Sequence, residues 1–240
     1  MKKAEVLQRI HDIGLLPVVR AATPELAFAV VEAIQAGGVS TLEITMTVPG
    51  ALGVIEKLAQ RYGDTALVGA GTVLDPETAR ACILAGAKFI VSPALNVKTI
   101  ELCRRYGVAV MPGALTPTEI VTAWQAGADV VKVFPCNALG GAKYLRDVKA
   151  PLPQIDLIPT GGVSLATAGD FIRAGALAVG VGSDLVNLKA IQNGDSATVT
   201  AQARAYLAAI AEARAPLGYK LQEKELATDY TNFTDNINNL

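Results

Sequence analysis

Four times along the chain an Ala-Gly step leads from an amphipathic stretch into a short apolar run: Ala36-Gly37-Gly38-Val39, Ala85-Gly86-Ala87, Ala126-Gly127-Ala128 and Ala174-Gly175-Ala176. Glycine stops a helix there by taking the left-handed conformation that other residues resist. Each step therefore ends a helix and feeds a strand, and the recurrence calls for a fold of repeated strand and helix units. Runs rich in Val, Ile and Leu supply the strands, expected at Leu15–Arg20, Thr41–Met46, Thr65–Gly69, Lys88–Val91, Val108–Met111, around Lys132, Ile155–Ile158 and Leu177–Val181. Thr23-Pro24-Glu25 and Asp75-Pro76-Glu77 read as helix starts, with an N-cap followed by proline at the first helical position. Strands alternating with helices predict a parallel sheet covered by helices. Eight such units in roughly 200 residues predict an α/β fold of the (β/α)8 TIM-barrel type, with its site at the C-terminal strand ends.

The rival doubly wound sheet needs a glycine fingerprint after its first strand. Gly69-Ala70-Gly71 and Gly180-Val181-Gly182 instead reach Leu74 and Leu185 where the third glycine would stand. At 240 residues and 51% hydrophobic content, the chain can bury one sizeable core. The expectation is a single domain: a barrel over 1–215 with an extra C-terminal helix near Ser196–Arg214, then a polar extension over 216–240 that wraps the surface loosely.

Lys and Arg number 21 against 22 Asp and Glu, with no long basic run, which excludes the electrostatic footprint of a nucleic-acid or anionic-membrane partner. The N-terminus lacks a signal-peptide core and no apolar segment is long enough to span a bilayer, so a cytoplasmic location is expected. Cys82, Cys103 and Cys136 are odd in number and widely spaced, which suits neither a disulfide framework nor a zinc pair. The first two are expected to pack on helices. Cys136 follows the sixth strand, and the only histidine, His11, is too far off in sequence to serve it as a base.

The sixth strand, Asp129-Val-Val-Lys-Val-Phe-Pro-Cys136, carries an anomaly. Period two puts Val130, Lys132 and Phe134 on one face and Val131 and Val133 on the other, so the lysine points among apolar groups. Two readings are open on these residues alone. Lys132 snorkels to water or sits in an ion pair; or burial strips the solvation that favours its charge and leaves an amine nucleophilic toward carbonyls. Glu43 is a second inward charge, sharing a face with Thr41 and Thr45 while Leu42, Ile44 and Met46 turn to the helices. A carboxylate there needs a cationic partner, and Lys132 or Arg20 would serve, as a structural pair or as part of a site.

The strand ends gather Arg20, Thr47, Gly71-Thr72, Ser92-Pro93, Pro112-Gly113, Phe134-Pro135, Thr160-Gly161-Gly162 and Gly182-Ser183 on one rim. Thr160-Gly161-Gly162-Val163-Ser164 and Val181-Gly182-Ser183 follow the last two strands. Each alone reads as a tight turn; together they predict a phosphate cradle of backbone N–H groups. One histidine outside any ligand spacing argues against a metal-dependent aldolase or isomerase, so no metal and no cofactor are expected and the electrophile is read as a Schiff base.

Seven motifs carry a family resemblance: Glu43 in Leu-Glu-Ile-Thr, Gly69-Ala-Gly-Thr-Val73, Ser92-Pro93, Met111-Pro-Gly113, Lys132 in Val-Lys-Val-Phe-Pro, Pro159-Thr-Gly-Gly162 and Gly180-Val-Gly-Ser183. In this order they resemble the motifs of the 2-keto-3-deoxy-6-phosphogluconate (KDPG) and 4-hydroxy-2-oxoglutarate aldolases. The resemblance implies a class I aldolase barrel, commonly a homotrimer, that acts on a small phosphorylated keto acid and cleaves KDPG to pyruvate and glyceraldehyde 3-phosphate. Residue by residue it implies Lys132 as the Schiff-base lysine and Glu43 as the general acid/base. Thr72 then lies near the pyruvate carboxylate, and Gly161, Gly162 and Ser183, beside Gly182, bind the phosphate. Some relatives hold the carboxylate with an arginine shortly after the glutamate. This chain has Thr47 there, and Arg20 matches an arginine of other members suited to that role. Pro93 and Phe134 are expected to wall the substrate and keep the pocket dry. The galactonate epimer, unphosphorylated 4-hydroxy-2-oxoglutarate, and a phosphate-binding barrel without aldolase activity stay open as alternatives.

Overall fold

The computed structural model describes residues 1–215; the expected polar extension, 216–240, lies outside the described residues. The strands are β1 Leu15–Val19, β2 Thr41–Thr45, β3 Leu67–Gly71, β4 Phe89–Val91, β5 Ala109–Met111, β6 Gly113–Ala114, β7 Val131–Val133, β8 Leu157–Pro159 and β9 Val179–Val181. Every pairing is parallel, in the orders β5-β4-β3-β2-β1-β9 and β6-β7-β8. Pro112 separates β5 from β6 within one stave, since proline has no N–H for the ladder, and its carbonyl still accepts from Lys132 N at 2.9 Å. A Thr160–Gly180 bridge joins β8 to β9. The two sheets thus form one closed, eight-staved parallel barrel.

Outside it run α2 Pro24–Ala36, α3 Ala51–Tyr62, α4 Pro76–Leu84, α5 Val97–Arg105, α6 Pro117–Gln125, α7 Ala142–Lys149, α8 Leu165–Arg173, the short α9 Leu188–Gln192 and α10 Ser196–Arg214. Thr23 and Asp75 cap α2 and α4 by accepting from Leu26 N and Thr78 N. The Ala-Gly steps end their helices with a left-handed glycine: Gly86 (φ +101°), Gly127 (φ +93°) and Gly175 (φ +95°). The next amide then reaches back to the helix, as in Ala128 N to Ala123 O at 3.0 Å. The expected C-terminal helix, α10, lies against α8 and α2, with Thr200 Oγ1 and Arg204 Nη2 donating to the carbonyls of Ala33 and Ala36.

Several boundaries differ from the sequence reading, and the strands expected at Ile155–Ile158 and Leu177–Val181 begin at Leu157 and Val179. The third strand runs Leu67–Gly71, two residues later than expected, because Thr65 still belongs to the end of α3: its N–H and Oγ1 both donate to Tyr62 O. An N-terminal helix, α1 Lys3–Ile13, was not anticipated. It plugs the barrel from the N-terminal end, placing Val6 and Ile10 in the interior cluster with Leu16, Leu67, Phe89 and Met111. Arg214, buried at the end of α10, holds the plug by donating to the carbonyls of His11, Asp12 and Leu177. The other strand faces, including Leu42, Ile44, Val131 and Val133, pack against the helices, as period two requires.

Among the described residues no helix is long and apolar enough to cross a membrane, and no group of three or more His, Cys, Asp or Glu is placed to hold a metal ion.

Candidate active site

β2 and β7 stand across the barrel from each other, with three staves between them either way round. Both point a charge inward, and the two meet: Lys132 Nζ lies 3.6 Å from Glu43 Oε1, with the side chains 5% and 1% exposed. Of the two cationic partners open to Glu43, the structure brings Lys132. The separation is within ion-pair range yet longer than a hydrogen bond, and Glu43 Oε1 is a buried acceptor with no hydrogen-bond partner among the described residues. Such an atom is costly to bury, and in native structures it marks a strained or reactive place. Phe134, one residue beyond β7, sets its ring centroid 5.6 Å from Lys132 Nζ and walls the amine on an apolar side.

The carboxylate has room because of Gly71. A Cβ on that residue of β3 would fall on the Glu43 carboxylate, so the neighbouring strand gives up its side chain at that level. Deeper on the same strand, Gly69 gives up its side chain to the Phe89 ring. Neither role is legible from the glycines alone. Below Glu43, Thr41 Oγ1 donates to Leu15 O at 2.5 Å; above it, Thr45 Oγ1 donates to Val19 O at 3.1 Å.

The other sequence candidates all lie on this rim. Thr72, directly after β3, is the non-glycine residue with a left-handed backbone among those described (φ +58°). That conformation is unfavourable for a β-branched residue and holds only where the surroundings fix it. Thr47 is exposed, with its hydroxyl 2.7 Å from that of Thr45. Arg20, immediately after β1, is exposed and makes no hydrogen bond or ion pair among the described residues. It is not drawn into the Lys132–Glu43 pair. Pro93 follows β4 and packs close to Gly113 of β6, where a Cβ would strike the Pro93 backbone. Gly161 (φ +89°) and Gly162 (φ +74°) follow β8 in backbone conformations that suit glycine, and Gly182 and Ser183 follow β9. Asn137, not singled out from sequence, lies over this loop so closely that a Cβ on Gly162 would strike its side chain.

Cys136, beneath this loop, is buried, and that burial pushes its thiol up to about 11; it is a neutral packing group at ordinary pH.

The family model described as "Aldolase: KDPG and KHG aldolase" matches residues 6–202. The chain is 38% identical to a 2-dehydro-3-deoxy-6-phosphogalactonate aldolase of Escherichia coli (strain K12), over 84% of this chain and 96% of that protein. It is 33% identical to a 2-dehydro-3-deoxy-phosphogluconate aldolase of Treponema pallidum (strain Nichols), over 82% and 93% respectively. A crystal structure of a KDPG aldolase from Legionella pneumophila, with pyruvate captured as a covalent carbinolamine, superposes with a TM-score of 0.78 at 28% identity, covering 83% of this chain and 97% of that one.

Proposed function

The chain belongs to the KDPG and KHG aldolase family, and from that premise we propose that it cleaves 2-keto-3-deoxy-6-phosphogluconate to pyruvate and glyceraldehyde 3-phosphate through a Schiff base on Lys132. The observation that carries this reading is the buried Lys132–Glu43 pair, 3.6 Å apart, whose carboxylate oxygen has no hydrogen bond among the described residues.

In the proposed reaction the free amine of Lys132 attacks the C2 ketone, and loss of water gives an iminium. Glu43 removes the proton of the C4 hydroxyl, the electrons of the C3–C4 bond pass into the iminium, and the aldehyde leaves. The resulting enamine takes a proton at C3, and water hydrolyses the imine to release pyruvate and restore the lysine. Phe134 and Pro93 line the keto-acid end, and Thr72, Thr47 and Arg20 are the candidates for the carboxylate. The amides of Gly161, Gly162 and Gly182, with the Ser183 hydroxyl, receive the phosphate. Unphosphorylated 4-hydroxy-2-oxoglutarate fits the same chemistry without engaging that cradle.

Intact-mass analysis after incubation with pyruvate and borohydride, followed by peptide mapping, tests the reading. A reduced pyruvyl adduct on Lys132, lost in Lys132→Ala, is expected. Folded protein without an adduct would leave a phosphate-binding barrel with Lys132 in a structural ion pair. A second substrate reading is favoured by the 38% identity to the galactonate enzyme, against 33% to the gluconate one; kcat/KM measured on both epimers separates them. Three buried, free cysteines suit a reducing compartment, and a cytoplasmic location belongs to the same proposal. So does a homotrimer, for which the apolar residues left exposed around α4 to α6, Leu74, Leu84 and Trp124, offer surface to bury.

A further inference from the structure

The two loops of the proposed phosphate cradle are joined by a carboxylate that the aldol chemistry does not use. Asp184 comes directly after Ser183, and its Oδ2 accepts at 3.2 Å from the N–H of Leu165, the first residue of α8, close after the Gly161-Gly162 loop. The same oxygen accepts from the phenol of Tyr206, and Gln202 Nε2 lies 3.4 Å from both Asp184 Oδ2 and the Asp184 carbonyl. Asp184 is exposed, and an exposed aspartate has water to satisfy it. Tyr206 is fully buried on α10; its burial first, and then its bond to Asp184, push the phenol far above its usual range, so it remains a donor at any ordinary pH. A buried phenol is thus aimed out of the core at a loop carboxylate, and the loops after β8 and β9 are held to each other and to α10.

We propose that Asp184 and Tyr206 are positioning residues for the phosphate end of the site, a proposal that rests on the aldolase reading above. They latch the Gly182-Ser183 turn to the start of α8, so that amides and hydroxyl from two separate loops keep one spacing. The latch carries a definite electrostatic signature. A carboxylate beside a phosphate dianion opposes binding by charge, so Asp184 helps through geometry alone. A neutral side chain that still accepts the Tyr206 hydrogen bond keeps the geometry and removes the opposition.

The experiment compares steady-state kinetics on KDPG and on unphosphorylated 4-hydroxy-2-oxoglutarate for Tyr206→Phe, Asp184→Ala and Asp184→Asn, together with calorimetric titration by inorganic phosphate. Tyr206→Phe and Asp184→Ala are expected to raise KM for the phosphorylated substrate about tenfold with kcat nearly kept, to weaken inorganic phosphate to a similar degree, and to leave the unphosphorylated substrate unaffected. Asp184→Asn is expected to hold KM for KDPG at or below that of the parent protein. Equal losses on both substrates would make the pair merely structural and overturn the proposal, as would unchanged phosphate affinity in Tyr206→Phe. Phosphate titration reads the latch without turnover, whereas failure of the parent protein to form a pyruvyl adduct counts against the aldolase reading itself.

Discussion

At the N-terminal end of the barrel, Val6 and Ile10 of the plugging helix sit in an apolar cluster with Leu16, Leu67 and Phe89. Further along the barrel, Glu43 of β2 and Lys132 of β7 face each other across the interior, and among the described residues a carboxylate oxygen goes without a hydrogen bond. β3 shows both demands within three residues: Gly69 yields its place to an aromatic ring, and Gly71 yields its place to a carboxylate. The difference teaches that one end supplies the burial on which the other end's unfavourable groups depend. Removing groups at the open end should therefore cost rate, and removing groups at the plugged end should cost stability.

The largest effect is expected at the open end. Glu43→Gln keeps the shape of the side chain but removes the proposed base, and kcat should fall by about 10² to 10⁴ with thermal unfolding little changed. A fall in stability alone, with kcat intact, would break the comparison. At the plugged end Ile10→Ala should lower stability by about 2–5 kcal/mol in urea unfolding while kcat, measured where the variant is folded, stays at the parent value. The two β3 glycines sharpen the contrast. Gly71→Ala pushes on the Glu43 carboxylate and should lower kcat about 10²-fold through misplacement. Gly69→Ala overpacks against Phe89 and should cost about 1–3 kcal/mol of stability with a smaller change in kcat. The same phenotype from both would show that the ends are not separable.

A last test concerns the thiols buried outside the barrel strands. Burial pushes Cys82, Cys103 and Cys136 up to about 11, about 12 and about 11. In the unfolded chain a thiol ionises near roughly 8.5. Above that pH the unfolded state sheds protons that the folded state keeps, so the contribution is full below about 8.5 and is lost as pH rises toward 11–12. Urea midpoints should decline between pH 8.5 and 11, with a shallower decline in Cys103→Ala; identical slopes would remove burial as the cause.

Lys132 and Glu43 were legible because each breaks a period-two pattern with a charge, and strand alternation then assigns them to the interior. The Ala-Gly stops were legible because a helix end has local chemistry. The plugging helix was not, since Val6 and Ile10 are its only buried residues and Lys3–Ile13 is otherwise polar enough to pass for a surface segment. Gly71 reads in the sequence only as a strand-end residue beside Thr72. Its role depends on the side chain of the adjacent strand, which no local pattern carries. Asp184 and Tyr206, 22 residues apart, meet only once α10 has docked beside α8. By residue type the third strand begins at Thr65, two residues early, because Thr65 favours a strand but is bonded into the helix end.

On the proposed mechanism the Glu43 oxygen that lacks a hydrogen bond among the described residues would also act as a filter on substrates. A keto acid with a hydroxyl at C4 would satisfy the oxygen on entry, whereas its deoxy analogue would offer it no donor besides Lys132. Sites built around a substrate hydroxyl reject the analogue that lacks it by as much as about 10⁴. The atom proposed to accept the proton would then also turn away molecules that have no aldol bond to break.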